Sequence, residues 1–232
     1  MMRRLSNPYR YLMVSLPILL MSACTPAPPV PAVPASGLAL SLAQAQMTPE
    51  QQVQQQVLRG RDLVIHHGCG DCHGGVDNPA AQGWLSGWRP EFPAGVGQYP
   101  VGPFTTYARN LTPDNTTGIG RFSERQIFNA LRYGLRPGET PDVEITSTEP
   151  GQGNFPANPK YLAPPMPWPA FRHMSDEEIR AIAAYLKRGV KPVSNRVPDS
   201  EGPPDFWAGT YDEMIGPYPA PAFPTENERV PE

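Results

Sequence analysis

Apolar residues recur at helical spacing in three short parts of the chain, and the clearest of these follows Ser175. Along this part they occupy positions i, i+3, i+4 and i+7, namely Ile179, Ile182, Ala183 and Leu186. This spacing lines one face of an α-helix. Ser175 and Glu178 form a capping box at its start, and the run Lys-Arg-Gly ending at Gly189 is a stop signal. The pattern predicts a helix from 176 to about 188.

The other two periodic segments also begin with capping signals. Thr48 precedes a proline and has a glutamine three residues on, and the rough apolar face that follows ends near Gly68. Ser123 likewise has a glutamine three residues on, and the segment ends at Gly134. No strand-like alternation of comparable length is present, so the pattern favours an all-α domain of three main helices.

The first 24 residues are typical of an export signal. Basic residues precede an apolar run from Leu12 to Leu20, which is shorter than the roughly 20 residues needed to span a bilayer. The sequence Met-Ser-Ala-Cys ending at Cys24 resembles a lipobox, in which the cysteine is lipidated; the alternative is an ordinary signal with a chance cysteine. The expected domains are a lipoprotein signal peptide (1–23), a proline-rich tether (24–47), a folded domain (48–192) and a proline- and aromatic-rich extension (193–232).

Composition and charge narrow the class of partner. The 232 residues include 32 prolines, so much of the chain outside the periodic segments is expected to be extended coil. The net charge is −3, and removal of the three arginines of the signal leaves 16 basic against 22 acidic residues, or −6. A nucleic-acid-binding protein needs a basic face, so that class is excluded.

Two of the three cysteines, Cys69 and Cys72, lie in the sequence Cys-Gly-Asp-Cys-His ending at His73. A small disulfide is one use of such a pair. A structural zinc site would need two further ligands, and no second cysteine pair exists. A thioredoxin-like redox pair would need a βαβ context, which the surrounding pattern does not predict. The fourth use is the C-x-x-C-H haem attachment signature.

The spacing of this signature has a chemical reason. Two thiols separated by two residues can each add to a different vinyl group of one porphyrin, and the following histidine can then turn its imidazole under the iron. The export signal supplies the compartment in which such attachment takes place. We therefore predict one covalent haem c on Cys69 and Cys72, with His73 as an axial ligand.

Four motifs in order carry a resemblance to a known family. They are the C-x-x-C-H motif, the segment NLTPDNTTGIGRFSERQIFNALRYG (110–134), the segment PPMPWPAF (164–171) and the segment MSDEEIRAIAAYLKRGVKPVSN (174–195). Together they resemble class I c-type cytochromes, and most of all the single-haem modules of cytochrome subunits that serve alcohol and gluconate dehydrogenases. The resemblance covers residues 55 to 195.

The resemblance implies thioethers at Cys69 and Cys72, a proximal ligand at His73 and a distal ligand at the methionine of the Met-Pro motif, Met166. It also implies that Gly60 and Tyr185 lie where the first and last helices cross, and that the NLTPD loop lies near the haem edge.

The residues around Met166 offer two other candidates for the sixth ligand. Met174 directly precedes the Ser175 cap, where packing against the helix explains it. His173 is next to the same helix start and is otherwise a solvent-facing polar residue. Met166 lies between prolines that hold the backbone extended, so it is the favoured ligand, with His173 next.

With both axial positions filled, the expected function is one-electron transfer and not catalysis. The expected partners are a dehydrogenase or respiratory-complex subunit as redox partner and a membrane on its periplasmic side, reached through the lipid on Cys24. The alternatives are a haem-based enzyme or gas sensor with a labile sixth ligand, and a subunit whose haem only stabilises the fold. The aromatic extension after residue 192 is expected either to pack on the domain or a partner, or to be disordered.

Overall fold

The computed structural model describes residues 47–200 and 224–230, and these residues are mostly helical with little strand. The helices are α1 (Pro49–His66), α2 (Cys69–His73), α3 (Glu124–Tyr133), α4 (Trp168–Phe171) and α5 (Asp176–Ala184). A π-helical turn, Tyr185–Gly189, continues α5, and a short 3-10 helix spans Pro137–Glu139. This content is compatible with the all-α fold that the resemblance implies.

The three long helices begin at the predicted caps. The side chains of Thr48, Ser123 and Ser175 each accept a hydrogen bond from the backbone N–H three residues on. The side chain of that later residue accepts a hydrogen bond from the backbone N–H of the capping residue, so all three capping boxes are formed. Such a box satisfies two amide groups that the first helical turn leaves without a partner. Helix α3 ends at Gly134 in the left-handed conformation, as the stop signal predicts.

A β-hairpin between α2 and α3 was not predicted. Strand β1 (Gln98–Val101) pairs antiparallel with β2 (Phe104–Tyr107), and Gln98 lies opposite Tyr107. Each strand has four residues, so neither is long enough to give a detectable alternation, and Pro100 is unfavourable within a strand. The hairpin belongs to the loop that folds back over α2.

Helices α1 and α5 cross at Gly60. A β-carbon built on Gly60 would lie 1.9 Å from the main-chain oxygen of Ala181 and 2.8 Å from the β-carbon of Tyr185. Only glycine permits this approach of the two backbones. The crossing at Gly60 and Tyr185 that the resemblance implies is therefore present.

The main hydrophobic core lies between α1, α3, α4 and α5. Its most deeply buried aliphatic members are Val64, Leu85 and Ile179, and the aromatic rings of Trp84, Phe104 and Trp168 pack with them. A smaller cluster of Leu135, Ile145 and Phe155 lies under the loop that follows α3. Among the described residues no helix is both long and apolar enough to cross a membrane.

Candidate haem-binding site

Helix α2 carries both cysteines of the attachment motif and the histidine that follows them. Gly68 precedes it in the left-handed conformation, with φ of 62°, and turns the chain from α1 into this short helix. Gly70 is buried within it, because a β-carbon there would lie 1.8 Å from the main-chain oxygen of Val76. Cys69 and Cys72 are partly buried free thiols, and His73 is buried.

The two thiols lie in different surroundings. Cys69 packs against the main core, and this burial, together with the neighbouring Cys72, raises the pKa of its thiol to about 12. Cys72 has a polar neighbour: the hydroxyl of Tyr99, on β1, donates a hydrogen bond of 2.9 Å to its sulfur. Tyr99 in turn accepts a hydrogen bond of 3.1 Å from the backbone N–H of Gly97, so the hairpin is fixed against α2.

His73 is fixed by two main-chain hydrogen bonds. Its Nδ1 atom lies 2.6 Å from the carbonyl oxygen of Arg109, and its own carbonyl accepts a bond of 2.7 Å from the N–H of Gly87. A carbonyl can only accept, so the proton is on Nδ1. Burial lowers the pKa of His73, although the bond to Arg109 opposes this shift, and the ring is neutral near pH 7. The lone pair on Nε2 is then available to a metal.

The three candidates for the sixth ligand lie in different environments. Met166 and Met174 are partly buried and both pack against the main core, which Cys69 also borders. His173 is exposed. Met174 precedes the cap of α5, and its staple partner Ile179 is fully buried in the same core. Packing at a helix start accounts for Met174 but not for Met166.

Aromatic residues pack beside the Met166 segment. The indole of Trp168 lies against Gly134, where a β-carbon would approach its ring atoms to 2.3 Å, and it stacks on Tyr161 with centroids 6.0 Å apart. Phe171 is buried, and its ring is nearly perpendicular to that of His67, with centroids 5.8 Å apart. These contacts hold the start of α4 on the core.

Three observations concern the other candidate uses of the cysteines. In residues 47–200 and 224–230 no group of three or more histidine, cysteine, aspartate or glutamate side chains could hold a metal ion. The two thiols are not joined in a disulfide. Cys24, the predicted lipidation site, lies outside the described residues.

The donor set fits a covalent haem. Two free thiols lie on one short helix, and the histidine directly after them has its Nδ1 proton bound to a carbonyl and its Nε2 available. A neutral, oriented imidazole beside two thiols is the chemistry that C-x-x-C-H attachment requires.

Two residues of this site were not identified from the sequence. Arg109 acts through its main-chain oxygen, which leaves no signature in the identity of its side chain. Tyr99 reaches Cys72 only because of the unpredicted hairpin. The position of Arg109 immediately before the NLTPD motif is the one signal that could have drawn attention to it.

Comparison with known proteins finds relatives but no matching family model. The chain is 32% identical over 149 residues to the gluconate 2-dehydrogenase cytochrome c subunit of Pantoea cypripedii, which covers 63% of this chain and 26% of that subunit. It is 28% identical over 159 residues to the fructose dehydrogenase cytochrome subunit of Gluconobacter japonicus, with 68% and 26% covered.

A third relative is also named as a dehydrogenase cytochrome c subunit. The chain is 34% identical over 125 residues to the cytochrome c subunit of the quinone-type alcohol dehydrogenase of Gluconacetobacter polyoxogenes, with 52% of this chain and 22% of that subunit covered. The chain thus spans about a quarter of the length of these relatives. At modest identity, the comparisons support its similarity to cytochrome c subunits of dehydrogenases.

Proposed function

We propose that this chain is a monohaem cytochrome c that passes single electrons between a dehydrogenase or respiratory-complex partner and an acceptor. Cys69 and Cys72 would hold the haem covalently, and His73 and Met166 would be its iron ligands. The observation that carries the proposal is the bond of 2.6 Å from His73 Nδ1 to the carbonyl of Arg109, on the short helix that also carries two free thiols. The names of the relatives give independent support.

The chain's own residues prepare the site for this role. The carbonyl of Arg109 keeps the proton on Nδ1 and so fixes which nitrogen of His73 can bind a metal. Burial of that ring disfavours its protonation, which would remove the ligand. The haem, when bound, supplies a one-electron redox couple. A thioether from Met166 as second axial ligand would raise the reduction potential relative to a second histidine.

Filling both axial positions leaves no place for a substrate or for oxygen, so the role is electron transfer without catalysis. The test of this step is the absorption spectrum of a Met166→Ala variant against the controls Met174→Ala and His173→Ala. We expect a changed spectrum for Met166→Ala alone. An unchanged spectrum would contradict the assignment and favour the alternative, a haem enzyme or gas sensor with a labile sixth ligand.

The location and partners belong to the same proposal. The export signal and the cysteine at position 24 support a lipid anchor that holds the domain on the periplasmic side of a bacterial membrane. Membrane extraction of wild-type and Cys24→Ala chains tests the anchor, since only the wild type should require detergent. Reduction of the haem by a purified dehydrogenase and its reoxidation by an acceptor test the electron-transfer role, and a haem that does neither would be structural only.

A further inference from the structure

The segment of residues 193–199, which follows the last helical turn, contacts both of the loops that bind His73. One of these loops begins at Arg109, whose carbonyl accepts the Nδ1 proton of His73. The other contains Gly87, whose N–H binds the carbonyl of His73. We refer to residues 193–199 as the clamp segment.

The clamp segment holds the first loop through a buried amide. The side chain of Asn110 donates to the carbonyl of Val193 at 2.8 Å, and its oxygen accepts from the backbone and hydroxyl of Thr112 at 2.9 and 2.7 Å. Asn110 is only 2% exposed, so each of these bonds is shielded from water. The backbone N–H of Asn195 adds a bond of 3.0 Å to the hydroxyl of Thr117.

The clamp segment also binds the first loop from the solvent side. One guanidinium nitrogen of Arg109 donates to the carbonyl of Pro198 at 2.7 Å and to that of Val197 at 3.4 Å. The other lies 3.4 Å from the carboxylate of Asp199. The Arg109 side chain is 47% exposed, so these contacts contribute less than those of Asn110.

The second loop is held by one side chain. The amide nitrogen of Asn195 donates to the carbonyl of Ser86 at 2.8 Å and to that of Trp88 at 3.1 Å, on the two sides of Gly87. Asn195 thereby satisfies two carbonyls and fixes the orientation of the peptide between them.

The two loops and the clamp segment meet at Gly87. A β-carbon there would lie 2.7 Å from the N atom of Asn110 and 2.7 Å from a methyl carbon of Val197, and φ is 87°. Val197 is buried at this point. Movement of the clamp segment would therefore open contacts of both loops together.

We propose that the clamp segment, chiefly through Asn195, is a positioning element for His73. It keeps the Arg109 carbonyl and the Gly87 amide in place and so sets the strength of the hydrogen bond at Nδ1. The consequence for redox chemistry rests on the proposed function, in which His73 is an iron ligand. A firm bond at Nδ1 makes the imidazole a stronger donor and favours ferric iron, so loosening the clamp should raise the reduction potential.

The test compares Asn195→Ala with Ser194→Ala in the full-length protein. Ser194 is exposed and neighbours Asn195, so its variant controls for a change in the same segment. The readouts are solvent exchange of the His73 Nδ1 proton, measured by ¹⁵N NMR in the diamagnetic ferrous state, and the reduction potential. For Asn195→Ala we expect exchange faster by about tenfold, from the loss of two hydrogen bonds, and a more positive potential.

Three results would overturn the proposal. One is an equal exchange rate of the His73 Nδ1 proton in the wild type, Asn195→Ala and Ser194→Ala. Another is faster exchange of the His73 Nδ1 proton with an unchanged reduction potential in haem-loaded protein, which would exclude an effect of the clamp segment on His73 as an iron ligand. The third concerns Arg109→Ala, which removes the weaker contacts of the clamp segment and decides the matter if Asn195→Ala does not fold. The His73 Nδ1 proton should exchange faster in Arg109→Ala than in the control Arg196→Ala, which changes an exposed side chain. Equal exchange rates would count against the role of the clamp segment.

The outcome is separable from that of the proposed function. If the wild-type chain carries no covalent haem, the proposed function fails. The exchange of the His73 proton, compared among the same variants without haem, then decides by itself whether the clamp segment positions the imidazole.

Discussion

The Nδ1 atom of His73 lies 2.6 Å from the main-chain oxygen of Arg109, although 36 residues separate the two along the chain. The same histidine binds Gly87 through its own carbonyl. One loop therefore holds its ring and another holds its main chain, in addition to its own helix. The position of His73 in the site depends on how firmly these two loops are held.

Gly87→Ala is expected to destabilise the protein at the point where the loops meet. Gly95→Ala is a matched control, because Gly95 has φ of 84° against 87° for Gly87 but no atom within 4 Å of an added β-carbon. Both variants carry the cost of an unfavourable φ, and only Gly87→Ala adds overpacking, which costs about 1–3 kcal/mol. Chemical denaturation should show this difference between the two variants, and equal unfolding free energies would contradict the packing at Gly87.

Gly60→Ala should separate helices α1 and α5. Alanine gains about 1 kcal/mol in helix propensity over glycine, but the added carbon would overlap the backbone of Ala181 at 1.9 Å. We expect a net loss of about 2 kcal/mol, since overpacking against backbone is not easily relieved. Gly138→Ala is the control, because its added carbon meets nothing closer than 3.8 Å. A stabilised Gly60→Ala variant would show that the helices do not cross there.

Arg132 and Arg180 both pair with Asp176 but should differ sharply in their contribution to stability. Arg132 is 5% exposed and donates to the carbonyls of Arg172 and Met174 at 2.6 and 2.9 Å. Arg180 is 44% exposed, pairs with Asp176 within the helix and lies over the ring of Phe128 at 5.2 Å. Arg132→Met leaves buried carbonyls without these donors and should cost about 2–4 kcal/mol. Arg180→Ala should cost about 1 kcal/mol or less, because both its ion pair and its contact with the Phe128 ring are exposed. Thermal unfolding of the two variants measures the contrast, and equal losses would contradict it.

Glu178→Gln isolates a pH-dependent contribution at the start of α5. The pKa of Glu178 is lowered from its usual 4.5, first by the backbone N–H of Ser175 and further by Arg59. A carboxyl group with a lowered pKa stabilises the fold above its unfolded value, and this is lost as pH falls through the folded value. Glutamine keeps the capping bond with its one amide oxygen, as it does at residues 51 and 126, so the variant removes the charge and the oxygen that accepts from Arg59.

The expected result is a small difference between wild type and Glu178→Gln at pH 7, below about 1 kcal/mol because the pair with Arg59 is exposed. The difference should shrink as pH falls below 4.5. Glu177→Gln removes a charge from the same helical turn without touching Arg59 and serves as the control. A difference that persists at acid pH would show that the ionised carboxylate is not its source.

The local signals of the sequence predicted the helices well. The boxes at Thr48, Ser123 and Ser175 are each formed, and Gly134 ends α3, because these residues act on backbone groups within one turn of themselves. The close approach of two helices at Gly60 was predicted from the family resemblance, because the sequence alone does not say which helix a glycine faces.

The surroundings of the site could not be predicted in the same way. The contact of His73 is with a main-chain oxygen, and every residue carries one. Tyr99 depends on a hairpin whose strands are too short to be detected. Asn195 stabilises carbonyls more than 100 residues away in the sequence, at Ser86 and Trp88, so only the folded chain shows what it binds. Residues 193–199, expected in the extension, are hydrogen-bonded to the loops of the site.

The mass of the intact protein, purified from cells able to attach haem, shows directly whether the chain carries one covalent haem. We expect the mass of the polypeptide without its signal peptide and with the lipid on Cys24, plus one covalently bound haem that is retained after denaturation. The covalent haem should be lost when Cys69 and Cys72 are both replaced by alanine. A mass without haem, or one lower by the two hydrogens lost in a disulfide between Cys69 and Cys72, would contradict it.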